Sequence, residues 1–414
     1  MTGETPIPQE LLERTTGEDI NSSVSLSDIC YSASLRRGHH KYRLAIVADS
    51  KQDLAEKLAA FLAGETRLGM SCNDVVTPEK ETKLAFIFSG MGPQWWAMGR
   101  QLLEEEPVFR QTIQECDRLL RQYADWSLWE ELTASQETSR INQTQIAQCA
   151  IFGVQVALAA LWRSWGITPQ GIVGHSVGEV AAAHVAGILS LEDAIRVVFH
   201  RSRLQAIAAG KGKMLAVGLS LKEAEQALIG YETCVSVAAV NSPSAVTLAG
   251  ASTPLEEIAK SLELKQIFCR FLQVEVAYHS PLMEPFKADL AESLLEIKPQ
   301  TAKIPLFSTV TGRQVEGSEL DGTYWGKNMR NPVLFATAIA QLIQAGYKHY
   351  LEISSHPVLA NSISECLAKA GSELPTPTLR YGVGFPIHWG LPRSSWIFYV
   401  PKTLVLHPLG GQKR

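Results

Sequence analysis

The stretch GIVGHSVGEVAAAHVAG, from Gly171 to Gly187, constrains the fold of this chain more than any other. A short apolar strand runs into an amphipathic helix with Gly, His, Ser, Val and Gly packed into the corner between them. Gly174 to Gly178 fits G-x-S-x-G, in which the glycines permit a strained turn that holds the serine hydroxyl out above a sheet. The helix that follows aims its N-terminal dipole and free N–H groups at the serine oxygen and at any oxyanion beside it. The plain structural alternative is a tight strand-to-helix turn with Ser176 as a solvated cap.

Around that corner the chain alternates strand and helix. An apolar run at Leu84–Phe88 ends in a glycine turn, helices follow to about Trp165, and the segment after the corner has Leu191, Ala194, Ile195, Val198 and Phe199 on one helical face. The alternation predicts an α/β fold with a parallel, hydrolase-like sheet covered by helices. Residues 212–275 read instead as βαββαβ, the ferredoxin-like order, ending in a strand over CRFLQVEV. The expected organisation is therefore a flexible N-terminal segment (1–26), a small α/β linker domain (27–83), a large subdomain in two parts (84–211 and 276–370), a ferredoxin-like small subdomain inserted between them (212–275), and a tail (371–414).

Charge excludes some partners. Lys and Arg number 38 against 42 Asp and Glu, a net of -4, so no basic face argues for nucleic acid or an anionic membrane. The seven cysteines are dispersed, with no C-x-x-C pair and no His/Cys ligand spacing, which reads as reduced thiols in a cytoplasmic protein and no metal site. The N-terminal residues lack the apolar core of a signal peptide. The apolar helix near Ala147–Trp165 carries Gln148, Gln155 and Arg163, favouring a buried helix over a membrane span.

A serine nucleophile needs a base, and there are ten histidines. His39 and His40 fall in a basic turn, His184 and His200 in helices, and His349 before a strand. His356, after a strand end, is a site-wall candidate. His279, in VEVAYHSPLMEP, follows a strand where the chain returns to the large subdomain, in a polar turn beside Tyr278 and Ser280, and is the best placed. Arg201, on the helix behind the elbow, is either a solvated helix-end arginine, in competition with Arg196 and Arg203, or a guanidinium that grips a carboxylate through two parallel hydrogen bonds. Gly90 and Gly92, just past the first large-domain strand, make either a plain turn or a loop whose N–H groups complete an oxyanion hole.

These pieces in this order, with FSGMGPQWWAMG, GHSVGE, RSRLQ, VNSPSAVTLAG, VAYHSPLMEP, NMRNPVLFATAI and LEISSHPVL, resemble the malonyl-CoA:acyl carrier protein acyltransferase family. More narrowly, the chain is similar to the acyltransferase domains of type I polyketide synthases and animal-type fatty acid synthases over about residues 27 to 370. RRGHHKYRLAIVA resembles the linker between a ketosynthase and its acyltransferase.

The resemblance implies Ser176 as nucleophile, His279 as its base, Arg201 as the carboxylate ligand, and the backbone N–H groups of Met91 and Val177 as the oxyanion hole. It also implies a backbone carbonyl orienting the histidine, with Leu334 the candidate, and supporting roles for Gln148 and Asn241. The reaction it implies is ping-pong. A malonyl group leaves coenzyme A for the serine and passes to the phosphopantetheine thiol of an acyl carrier protein, with no bound cofactor or metal and a ketosynthase domain as neighbour.

Val276-Ala277-Tyr278-His279 stands where relatives carry their substrate-selective motif. Tyr278 is bulky and should crowd an α-methyl branch, but one methyl discriminates by only about 1–3 kcal/mol. Met91 and Val276 match the broader animal-type domain, so methylmalonyl or acetyl loading stays open. The last residues depart from the family's linker, and the chain is either a piece of a larger synthase or a free-standing enzyme acting in trans. Two rivals remain: a serine acylhydrolase or thioesterase, against which the absence of H-G-G-G and D-G-G or D-G-A motifs argues, and a non-catalytic docking module.

Overall fold

The computed structural model describes residues 24–36, 42–65, 67, 69–74 and 83–371, with two short strand segments at 399–400 and 404–405. The segments expected as a flexible N-terminus and as a tail, and the basic turn at His39 and His40, lie largely outside these residues. The described residues fall into two compact units, one of those up to residue 74 and one of residues 83–371.

In the first unit, α1 (Leu26–Leu35) starts at Ser25, whose hydroxyl and backbone exchange hydrogen bonds with Asp28. β1 (Tyr42–Ile46) pairs antiparallel with β2 (Met70–Asp74), and α2 (Lys51–Leu62), capped by Ser50, lies between them in sequence. Its small core joins Ile46, Ala48 and Met70 to Leu44, Leu54, Leu58 and Phe61.

The second unit opens with β3 (Lys83–Phe88), followed by α3 (Arg100–Glu105), α4 (Pro107–Leu120), α5 (Leu128–Thr133) and α6 (Thr144–Ser164). Then come β4 (Gly171–Gly174), α7 (Gly178–Val185) and α8 (Leu191–Ala206). Among the described residues α6 alone is long and apolar enough to cross a membrane, and it is buried inside the protein. Its Ala and Gly positions let α4, α7 and α8 pack closely around it.

The chain next leaves for β5 (Lys213–Val217), α9 (Leu221–Ala227), β6 (Val235–Ser242), β7 (Ala245–Gly250), α10 (Ser252–Leu264) and β8 (Cys269–Phe271). These four strands lie in the order β6-β7-β5-β8, all neighbours antiparallel, which is the ferredoxin-like arrangement. Their own core runs from Leu215 and Val217 through Val246 and Leu248 to Leu255 and Leu262.

The last strand is shorter than the apolar run predicts. After Phe271 the Leu272 N–H bonds across to Met214 and the Glu275 carbonyl accepts from the Gly210 N–H, and Val276 and Ala277 are buried in a turn instead of a ladder. Burial, not sheet pairing, made that stretch apolar.

The return supplies a 3-10 turn (Pro281–Phe286), α11 (Lys287–Ser293), β9 (Leu306–Phe307), β10 (Gln314–Val315), α12 (Gly322–Arg330), α13 (Phe335–Gln344), β11 (Tyr347–Ile353) and α14 (Ala360–Lys369). The large sheet has the order β10-β9-β4-β3-β11, parallel except for the β10 edge. Phe88 ends β3 opposite Gly174, which ends β4. The glycine loop and the serine corner therefore emerge side by side at the carboxyl ends of the two central strands, where open α/β sheets hold their ligands.

Candidate functional site

Ser176 sits at φ 54°, in the left-handed region a serine rarely occupies. The turn is forced by packing. A Cβ on Gly174 would lie 2.2 Å from the Glu179 Cα, and one on Gly178 would lie 2.4 Å from the Phe88 carbonyl oxygen. The His175 N–H donates to that same Phe88 carbonyl at 2.8 Å, tying the corner to β3. Among the described residues neither the Val177 N–H nor the Met91 N–H has an acceptor. A Cβ on Gly90, next to Met91, would come within 3.3 Å of the Ser176 Cβ, so the glycine loop rests against the serine.

His279 meets Ser176 from the returning segment: its Nε2 is 2.7 Å from the Ser176 Oγ. Its Nδ1 is 2.9 Å from the Asn331 carbonyl oxygen, which can only accept, so Nδ1 carries the proton and Nε2 accepts from the serine. Like the serine, His279 has a left-handed backbone, φ 57°. Burial and then the positive field of Arg201 push its pKa down to about 3, partly offset by the Asn331 hydrogen bond. The imidazole is thus a neutral base at neutral pH.

The orienting carbonyl belongs to Asn331, not to Leu334. The Leu334 carbonyl accepts from the Ala338 N–H in the first turn of α13, and its N–H donates to Thr309. Asn331 caps α12 with extended backbone (φ -78°, ψ 160°), which turns its carbonyl away from the helix and toward the imidazole.

Arg201 is wholly buried, and all of its hydrogen-bond partners are neutral. Nη1 donates to Gln148 Oε1 at 2.6 Å and Gln205 Oε1 at 2.9 Å, Nε to Asn328 Oδ1 at 3.1 Å, and Nη2 to Ser176 Oγ at 3.1 Å. Burial lowers its pKa to about 10, so it stays charged at neutral pH. A buried guanidinium without an ion-pair partner is costly and is the natural receptor of an anion. The competing arginines are elsewhere: Arg196 pairs with Glu296, and Arg203 is partly exposed.

Tyr278 is buried, with its hydroxyl 2.9 Å from Thr144 Oγ1; Thr144 in turn donates to Glu275. Burial raises its phenol to about 12. Val276, two residues earlier in the chain, is fully buried. Asn241 reaches the corner from β6, its Oδ1 accepting from His175 Nε2 at 2.9 Å while its Nδ2 donates to Thr247 Oγ1. Sequence reasoning left four polar groups unassigned: Asn331, Gln205, Asn328 and Glu179. Asn328 links Arg201 to the buried Glu179 carboxylate, which also holds Thr309 and Tyr324. All four lie inside the quoted motifs, but only the fold reveals that they converge. His356 is exposed, and no described group of His, Cys, Asp or Glu is arranged to hold a metal ion.

Fold and site together define an α/β protein with a serine at a strand-to-helix elbow, hydrogen-bonded to a neutral histidine and a buried arginine. Residues 85–379 match the acyl transferase domain, and the chain belongs to that family. Residues 19–58 match the CurL-like, PKS C-terminal family. The chain is similar to erythronolide synthase EryA2 of Saccharopolyspora erythraea, 35% identical over 361 residues that make up 87% of this chain and 10% of that relative. It thus spans about a tenth of the length of that relative.

Two solved structures bear a similar likeness. The acyltransferase domain from module 8 of the salinomycin polyketide synthase is 32% identical, with TM-score 0.80 over 88% of this chain and 85% of that one. The acyltransferase domain of SpnD, in complex with 2-(pent-4-yn-1-yl)malonyl, is 27% identical, with TM-score 0.74 over 88% of this chain and 84% of that one.

Proposed function

We propose that this chain moves a malonyl group from coenzyme A, by way of Ser176, to the phosphopantetheine thiol of an acyl carrier protein. The observation that carries the reading is the buried, unpaired Arg201 guanidinium, 3.1 Å from the nucleophile. It suits an acyl group that ends in a carboxylate, and the malonyl-type group held by the SpnD domain is of that kind.

In this reading Ser176 Oγ attacks the thioester carbonyl as its proton passes to His279 Nε2. The Met91 and Val177 N–H groups receive the oxyanion. Collapse breaks the carbon–sulfur bond, and His279 returns the proton to the departing coenzyme A thiolate. In the second half the pantetheine thiol gives its proton to His279, its sulfur attacks the acyl-serine ester, and the proton goes back to Ser176 Oγ. The Arg201 Nη2–H, pointing at Oγ, also favours the developing alkoxide. Tyr278, Val276, Gln148 and Asn241 serve to shape and hold the acyl pocket. The rigid Tyr278 ring disfavours an α-branched methylmalonyl group. Residues 27–83 act in this reading as the linker toward a ketosynthase domain.

Incubating the protein with malonyl-, acetyl- and methylmalonyl-CoA in competition and weighing it tests this. The expected result is a malonyl adduct on Ser176 that Ser176→Ala abolishes, with Arg201→Ala shifting the preference to the neutral acyl group. No adduct on Ser176 would leave only a docking role.

A further inference from the structure

The guanidinium that receives the carboxylate is surrounded by amides, and the arrangement of one of them bears on selectivity. Gln205 lies one helical turn after Arg201 on α8 and is wholly buried. Its Oε1 accepts from two donors at once, Arg201 Nη1 at 2.9 Å and Gln148 Nε2 at 2.8 Å. That pair fixes the amide's orientation, because turning it over would set an NH2 group against two N–H donors. The orientation is kept although it leaves the Gln205 Nε2 buried with no hydrogen-bond partner. A glutamate has the same shape and would keep both accepted hydrogen bonds, yet its charge would close an ion pair with Arg201 inside the protein.

Resting on the reading above, we infer that Gln205 determines acyl selectivity: its neutral carboxamide holds Arg201 in position while leaving the guanidinium's charge for the substrate carboxylate. Gln205 is a positioning residue that acts through Arg201 and does not itself touch the reacting atoms. Neutrality at this position is what separates a carboxylated acyl group from a plain one. Gln148 and Asn328 satisfy the same requirement from α6 and α12, each presenting an amide oxygen where a carboxylate would neutralise the site.

The test compares wild type, Gln205→Glu and Gln205→Met by rates of Ser176 acylation with malonyl-CoA and with acetyl-CoA, read by mass spectrometry of the full chain. In Gln205→Glu malonylation falls by about 100-fold more than acetylation does, a change of ratio that a general loss of packing does not produce. Should the charged variant fail to fold, Gln205→Met decides. It keeps the charge of Arg201 free but loses one of its holding contacts, so KM rises more for malonyl-CoA than for acetyl-CoA. Equal losses for both acyl groups in either folded variant overturn the inference while the function above stands. A wild-type protein that takes no malonyl adduct overturns both.

Discussion

At the scale of single residues, the site is a hydroxyl between a neutral imidazole and a buried cation. His279 is held near a pKa of 3 against an ordinary 6.5, first by burial and then by Arg201. Because the depressed value favours the neutral base, the acylation rate should be flat from about pH 5 to 7 instead of falling through 6.5. The rate of malonyl adduct formation across that range checks it, and an inflection near 6.5 would place the functional imidazole in solvent.

The same shift has a sign for stability. As pH drops from 6.5 toward 3 the unfolded chain takes up a proton that the folded imidazole refuses, so this group costs stability progressively in that window and nothing above it. Loading changes the balance. In the proposed acyl-enzyme a carboxylate against Arg201 would remove part of the field that lowers the His279 pKa, burial remaining the main cause. Ser176 was legible from its glycine-flanked motif, whereas His279 and Arg201 were candidates among rivals that the family resemblance singled out and the fold brings together. The amides were not legible, since Gln205 and Asn328 read on paper as ordinary helix residues and become informative only through what they face.

At the scale of elements, the corner between β4 and α7 depends on two positions that admit no side chain. Gly178 presses on the backbone of β3, where a Cβ would sit 2.4 Å from the Phe88 oxygen and equally close to that of Ser89. Gly178→Ala should push the α7 start away from β3, destabilise the protein by about 1–3 kcal/mol and abolish the Ser176 adduct. Thermal melting and adduct mass measure the two effects, and a variant with both intact would show that the turn tolerates the shift.

The strand–turn–helix pattern was readable because glycine spacing and apolar periodicity coincide there. The element ends around residues 269–279 and 331–334 were not. Val276 and Ala277 are apolar through burial in a turn, and the carbonyl facing His279 is chosen by where α12 stops, a backbone event that no side chain announces. Leu334 misled because its neighbours match the motif, while its own carbonyl is consumed by α13.

At the scale of the whole molecule, the inserted subdomain and the large sheet close on the site together. The Val240 N–H donates to the Val333 carbonyl and the Val333 N–H to the Ala238 carbonyl, joining β6 to the segment after α12; Ser236 donates to the His279 carbonyl, and Asn241 meets His175. Alternation of strand and helix, interrupted by βαββαβ, was enough to foresee this division, because the two periodicities differ in the sequence itself. How the subdomains lock around one turn was not, because those contacts join backbone groups and small polar side chains far apart in the chain, with no pattern that pairs them in the sequence. Their consequence is a reaction centre shut off from bulk water, with Ser176 at 8%, His279 at 3% and Arg201 at 0% exposure. An acyl-serine in so buried a pocket would meet bulk water poorly, while a thiol delivered on a pantetheine arm would reach His279 directly. The malonyl adduct should therefore persist for many turnover times in buffer and disappear quickly when a pantetheine thiol is added. Following adduct mass against time, with and without the thiol, separates transfer from hydrolysis: equal decay in both would place the chain with serine hydrolases, because water would then be as good an acceptor as the thiol.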